Sequence, residues 1–448
     1  MGASIPSPDA ASPAATKAHA SVKRRVLISS FVGSLVEWYD FLLYGTASAL
    51  VFNVLFFPEI SPAAGTVASF GTLAVGYGAR PLGGLLFGHF GDRLGRKRML
   101  VASILLMGAA SILIGLLPTY AQIGIWAPIL LVVLRLLQGF AVGGEWGGAV
   151  LMTLEHSGRA RRGLWSSVAQ MGAPAGLLLS TFVFSLISAL PESDFLSWGW
   201  RVPFLATVVL IGIGLWIRLG VEESPVFQAE IEQRSPGRAR LPILELLRTQ
   251  PRNVVLAALI AFGPFAANSI LITFLIAYST QVGYERSTAL DGLMIASAMS
   301  LVCLPLFAAL SDRVGRRPVY ITGALLLGAN SFLLFALVNT GSTPLFLVGY
   351  ALALGVHALM YGPMGAFLAE LFGTGTRYTG ASLGYQVASV LGGGLAPLIA
   401  GSLLAAGGGA PHSLYVSVFM AGTCLVTAVA AYLTRETYRS DLTEVTAP

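Results

Sequence analysis

A small set of ionisable and polar side chains stands inside long apolar runs, where charge is costly to keep. Glu37 and Asp40 lie in the run 26–52, Arg80 in 65–90, and Arg135, Gln138 and Glu145 in 124–151. A carboxylate can take up and release a proton. A guanidinium can hold an organic carboxylate with two parallel N–H donors. Glu37 and Asp40, three apart, share one helix face, and Gln138 and Glu145, seven apart, nearly share another. Arg135 lies about 60° round the helix from Gln138. Glu37 is 11 residues past Val26 and Arg80 is 11 before Gly91, so both sit roughly 16 Å along their helices. Equal depth predicts a Glu37–Arg80 pair. Asp40, Glu37 and Glu145 are the candidate proton carriers, and Arg80, Arg135 and Gln138 the candidate substrate ligands.

The second part of the chain is poorer in charge. His357 and Tyr361 are one helical turn apart, Tyr385 and Gln386 open a polar patch, and Asn268 stands in an apolar run. Histidine can pass a proton near neutral pH, and it reads equally as a hydrogen-bonded core residue. Tyr44, with Trp38 and Tyr39, offers an aromatic wall for a ring-shaped solute. His357, Tyr361, Tyr385, Gln386 and Tyr44 complete the candidate substrate set. Other patterns carry no chemistry. Gly380-Ala-Ser382-Leu-Gly384 matches a nucleophile elbow but needs a strand–turn–helix setting; on a membrane helix its glycines are a packing face, as are Gly139/Gly143 and Gly172/Gly176. Cys303, Cys424 and five scattered histidines make no metal spacing. No cofactor, no metal and no enzyme activity is expected.

The elements that must position these residues follow from composition. Of 448 residues 55% are hydrophobic and 11% charged, against about 25% charged in a soluble domain. Twelve apolar runs, at 26–52, 65–90, 99–117, 124–151, 164–190, 202–220, 253–280, 288–310, 318–338, 343–369, 380–405 and 413–434, have helix length and lack strand alternation. They divide into an N-terminal half, 23–220, and a C-terminal half, 251–435. Around them lie a disordered tail, 1–22, a linker, 221–250, and a short tail, 436–448. All Lys and Arg except Arg80, Arg135, Arg201 and Arg286 then fall on one face with the chain ends. The positive-inside rule makes that face cytoplasmic. Such charge serves topology and lipid head groups, so nucleic acid is not an expected partner despite the net charge of +6.

The halves echo each other. Gly91-Asp92-Arg93-Leu94-Gly95-Arg96-Lys97 and Ser311-Asp312-Arg313-Val314-Gly315-Arg316-Arg317 lie 220 residues apart, and Glu155/Arg162 match Glu370/Arg377. Parallel six-helix repeats are the plan of a rocking carrier with its site between the halves near midplane. Asp92 and Asp312, at the inner mouth, can accept the free N–H groups of a facing helix start.

These loops and Arg135-Leu-Leu-Gln138-Gly139 resemble motifs of the major facilitator superfamily. Glu37-Trp-Tyr-Asp40-Phe41, Arg80-Pro-Leu-Gly-Gly84, Gly139-Phe-Ala-Val-Gly-Gly-Glu145-Trp-Gly-Gly148 and Trp198-Gly-Trp-Arg-Val-Pro-Phe204 resemble its metabolite:proton symporter family, nearest in the first half to shikimate-permease-like members. The likeness runs from about residue 24 to 435. It implies an all-α fold of twelve transmembrane helices with both termini cytoplasmic, in a bacterial-type inner membrane. It also implies a part in proton coupling for Arg135, and an inner gate latched by Asp92, Arg93, Arg96 and Lys97, with Asp312, Arg313 and Arg316 as the second copy. The expected function is proton-coupled import of a small carboxylated metabolite by a monomeric carrier. A zwitterionic osmolyte importer and a drug-efflux antiporter are the alternatives.

Overall fold

The computed structural model describes residues 13–59, 62–94, 96–143, 145–155, 159–220, 242–373 and 376–439. Among them, eleven helices are long and apolar enough to cross a membrane. The helix Pro62–Leu94, 33 residues long and interrupted by Arg80, completes twelve. Span one is Pro13–Ala47, continued by a π-helical turn Ser48–Phe52. Span two is Pro62–Leu94 and span three Arg96–Leu116. Span four runs through Trp126–Gly143 and Glu145–Glu155, and span five through Arg162–Gln170 and Gly172–Ser188. Span six is Arg201–Leu219. Span seven is Pro251–Ser269, a π-helical turn Ile270–Phe274, and Leu275–Val282. Spans eight, nine and ten are Arg286–Val314, Arg316–Val338 and Thr343–Glu370. Span eleven is Arg377–Ala388, a π-helical turn Ser389–Gly394, and Ala396–Ala406; span twelve is Leu414–Leu433.

Two boundaries differ from expectation. The helix that carries span one begins at Pro13, inside the segment read as a disordered tail, and its membrane-crossing part is Arg25–Ala47; proline at the first helical position followed by alanines starts a helix readily. Within the expected linker, Pro242–Thr249 is a short helix. Residues 1–12, 221–241 and 440–448 of the tails and linker lie outside the described residues.

Without water to drive helices together, spans pack where small residues let backbones meet. Span two crosses span four this way: a Cβ on Gly139 would overlap the Gly76 carbonyl, and one on Gly143 the Arg80 carbonyl. Gly176 of span five also packs closely on Leu35 and Tyr39 of span one. Proline breaks are repaired by side chains. Pro264 cannot donate to the Ile260 carbonyl, and the Tyr320 hydroxyl does so instead at 3.0 Å. At the loop between spans eight and nine, Gly315 takes φ +108°, a conformation that disfavours a side chain. Spans two, four and five of the first half face spans eight, ten and eleven of the second. The first helix of each half carries a π-helical turn at a matching place, Ser48–Phe52 and Ile270–Phe274.

Candidate substrate and coupling site

The charged residues of the first half converge behind an aromatic wall. Arg80 and Arg135 are essentially fully buried. Arg80 Cζ lies 4.3 Å from the Phe41 ring centroid and 4.5 Å from that of Tyr77. Arg135 Cζ lies 4.2 Å from the centroids of Phe41 and Tyr44. Phe41 is therefore shared by both cations, and each desolvated contact of this kind contributes about 2 kcal/mol. Arg135 Nη1 donates to Gln138 Oε1 at 3.1 Å, and Gln138 Nε2 donates to Ser111 Oγ at 2.7 Å. Tyr44 donates to Thr72 Oγ1 at 2.7 Å. Yet Nε and Nη2 of both arginines donate to nothing, and neither forms an ion pair among the described residues. A buried donor left unmade costs about 1–3 kcal/mol, more when charged. An anion reaching this place would satisfy several at once.

The expected Glu37–Arg80 ion pair does not form. Glu37 is buried, is joined to no cation within 4 Å, and sits in the combined field of Glu145, Arg80 and Arg218. Equal depth placed the two residues near each other, but Arg80 turns onto the ring faces instead. Asp40 accepts from the Thr207 hydroxyl at 2.7 Å through Oδ1, while its buried Oδ2 has no partner. Glu145 is differently held: it forms an ion pair with Arg218 of span six and accepts from Ser103 at 3.4 Å. Arg218 also donates to the Leu100 carbonyl at 2.7 Å. Span one passes over this pair at Gly33, where a Cβ would overlap Arg218 and stand 3.0 Å from Glu145 Oε1. Arg218 and Thr207 escaped the sequence reading. The signal for Arg218 was its place inside the last helical turn of an apolar run rather than in the loop beyond.

Between the halves lies a cleft of about 540 Å³, measured with its open mouth. Trp38, Phe41 and Tyr77 line it from the first half. Asn268, just before the π-helical turn of span seven, and Thr273 and Gly393, in the π-helical turns of spans seven and eleven, line it from the second half. A second cavity of about 340 Å³ shares Trp38, Leu42, Asn268 and Ile272 with the cleft and continues to Ser300, His357 and Tyr361. His357 Nε2 donates to the Pro264 carbonyl at 3.0 Å, and its ring stacks on Tyr361, centroids 5.4 Å apart. The Tyr361 hydroxyl is buried beside that of Tyr385 and bonds no other group of the protein. Tyr385 and Gln386 are engaged across the halves. Tyr385 stacks on Trp146 at 3.7 Å with 13° between ring planes, and Gln386 Nε2 donates to the Gly143 carbonyl at 2.9 Å. Gln170 ties in the same layer, accepting from Trp146 at 2.8 Å and donating to the Tyr361 carbonyl at 3.3 Å.

On the face that carries the C-terminal end of span twelve, the halves are bolted together. Asp312 accepts the backbone N–H of Gly163 at 2.8 Å and of Leu164 at 2.9 Å. Both belong to the first turn of span five, whose N–H groups lack helical partners. Arg316 holds Asp312 at 2.8 Å and Glu370 at 3.1 Å. The Glu436 carboxylate accepts the N–H of Arg316 at 2.8 Å and of Arg317 at 3.0 Å, and Thr437 donates to Glu370 at 2.7 Å. Arg313 is exposed and takes no part. Lys97 donates to the Leu219 carbonyl at 2.8 Å, within its own half. The side chains of Asp92, Arg93 and Arg96 lie outside the described residues.

Known proteins of similar sequence and shape agree with this architecture. The family model described as "Sugar (and other) transporter" matches residues 26–252, and that of the Major Facilitator Superfamily matches residues 292–447. The chain is 44% identical over 421 residues to the shikimate transporter of Escherichia coli strain K12, covering 93% of this chain and 95% of the relative. It is 41% identical over 431 residues to an inner membrane metabolite transport protein of the same strain, covering 94% and 96%. It is also 32% identical over 418 residues to the Escherichia coli K12 proline/betaine transporter, covering 91% and 83%. In shape it is similar to the proton:xylose symporter bound to 6-bromo-6-deoxy-D-glucose, with TM-score 0.78 at 20% identity over 95% of this chain and 98% of that one. Its likeness to the inward open xylose transporter of E. coli has TM-score 0.68 at 16% identity over 93% and 97%. The protein is a multi-pass membrane transporter rather than an enzyme, and the chain belongs to the major facilitator superfamily, among its metabolite transporters.

Proposed function

We propose that this carrier imports a small carboxylated metabolite together with a proton, across a bacterial inner membrane, with both chain ends in the cytoplasm. The observation that carries the reading is the pair of buried guanidinium groups, Arg80 and Arg135, whose Nε and Nη2 donors lack a protein acceptor. They lie behind the Trp38–Phe41–Tyr77 wall of the central cleft. A carboxylate drawn past that wall would meet bidentate donors in a dry setting, where such bonds are strong.

Asp40 is the proton carrier in this scheme. Its Oδ2 is buried and unpartnered, and the charge of Arg135 reaches it through space without an ion-pair contact, so protonation removes the cost of a buried charge that no cation bonds. Glu37 is the second acid, while Glu145 acts as a fixed anchor for Arg218. With substrate and proton both in place, the first half carries one fewer bare charge of each sign. The carrier can then rock, break the Asp312 contacts and release both to the cytoplasm. Coupling needs proton and substrate each to favour the same state by a few kcal/mol. The likeness to the shikimate transporter points to ring-shaped hydroxy acids as the first substrates to try.

Purified carrier in proteoliposomes, with an inwardly directed proton gradient, should accumulate radiolabelled shikimate above equilibrium and acidify less when substrate is absent. Accumulation unaffected by a protonophore, or uptake of neutral but never of carboxylated solutes, would overturn the reading.

A further inference from the structure

The second cavity differs in chemistry from the arginine pair. Among the residues that line it, Asn268, Ser297, Ser300, His357 and Tyr361 carry neutral hydrogen-bonding side chains. The buried Tyr361 hydroxyl has the Tyr385 hydroxyl as its polar neighbour and bonds no other group of the protein. A phenol buried at this depth is normally hydrogen-bonded; two facing hydroxyls can satisfy only one donor between them, so the remaining one points to a group that arrives with the solute. The bond from His357 Nε2 to the Pro264 carbonyl fixes the proton on that nitrogen. In the neutral ring Nδ1 is then a bare acceptor. Ser300 has no hydrogen-bond partner among the described residues, unlike Ser297, which donates to its own helix at 2.7 Å. Trp38 forms the wall common to both cavities.

We infer that Tyr361, Ser300, Asn268 and His357 form a hydroxyl-reading wall in the second half, set across Trp38 from the carboxylate-binding arginines of the first. The solute therefore carries hydroxyl groups on the side opposite its carboxylate, and those hydroxyls, read by neutral donors and acceptors, set specificity. This rests on the carboxylate reading given above. A wall of this kind discriminates strongly, because a ligand lacking the hydroxyl leaves buried polar groups unpaired.

Three ligands separate the two ideas: shikimate, with carboxylate and hydroxyls; its methyl ester, with hydroxyls alone; and cyclohex-1-ene-1-carboxylate, with the carboxylate alone. Binding to the full-length protein in lipid nanodiscs is measured by calorimetry. Tyr361→Phe should weaken shikimate and its ester about tenfold, the loss of one buried hydrogen bond, and leave cyclohexenecarboxylate unchanged. Ser300→Ala, a small change, should act in the same direction and decides the matter if Tyr361→Phe fails to fold. Equal weakening of all three ligands, no change in any, or a wild type that binds neither hydroxylated ligand overturns the wall. An ester that binds as tightly as the acid, with Tyr361→Phe still selective, overturns the carboxylate reading and leaves the wall standing.

Discussion

Asp312→Asn tests whether the loop between spans eight and nine latches the halves or only sets topology. The Asp312 carboxylate accepts two backbone N–H groups of span five, at 2.8 and 2.9 Å, and holds Arg316 at 2.8 Å. Asparagine keeps the shape but offers one acceptor oxygen. Its amide nitrogen would face either Gly163 N or Leu164 N, donor against donor. A hydrogen bond to a charged group contributes about 1.5–3 kcal/mol, and a carboxylate at a helix start adds roughly 0.3–1 kcal/mol. Both bonds exist only while the halves are closed on this face, so their loss appears in the conformational equilibrium. Taking about 2 kcal/mol, the population shifts roughly thirtyfold toward the form open on this face. The assay is thiol labelling from that side in a background lacking Cys303 and Cys424, with a reporter cysteine at Val150, which packs against Gly365 of the other half. Acidic residues contribute little to topology, so insertion should be normal while labelling rises and net uptake slows. Unchanged labelling together with wild-type uptake would refute the latch.

Two further outcomes follow from the first half. Asp40→Asn keeps the Thr207 hydrogen bond but cannot titrate, so it should retain substrate exchange and lose gradient-driven accumulation; uphill uptake by the variant would transfer the role to Glu37. Glu145→Gln or Arg218→Gln alone should destabilise by about 3–5 kcal/mol by leaving a buried charge unpaired. The double replacement should recover membrane expression and melting temperature relative to either single. A double variant no better than the worse single one would mean that their contact is not the source of the loss.

Much of the fold was legible because the bilayer leaves the backbone few choices. A long apolar run in lipid must satisfy its own N–H and C=O groups, which makes it a helix. Basic loops then orient it and the repeated Asp-Arg-x-Gly-Arg loops pair the halves. Asp312 at a helix start could be anticipated for the same reason, since free N–H groups and an acceptor are local properties of chain ends. Depth along a helix was also readable, and it placed Glu37 and Arg80 at the same level. Spacing does not say where a long side chain turns. Arg80 and Glu37 are level, yet Arg80 lies on Phe41 and Tyr77, and Glu145 is claimed by Arg218 from a helix 73 residues away in sequence. Rotamer choice and azimuth depend on which helices touch, and that is set by where glycines such as Gly33, Gly139 and Gly143 allow backbones to close. The same packing set Tyr385 and Gln386 in contacts between the halves and placed Tyr361 in the lining of a cavity. Composition and spacing therefore determined the membrane helices, their count and the residues worth watching. Only the tertiary structure decided their partners, because a partner is a matter of three-dimensional adjacency that no one-dimensional period encodes.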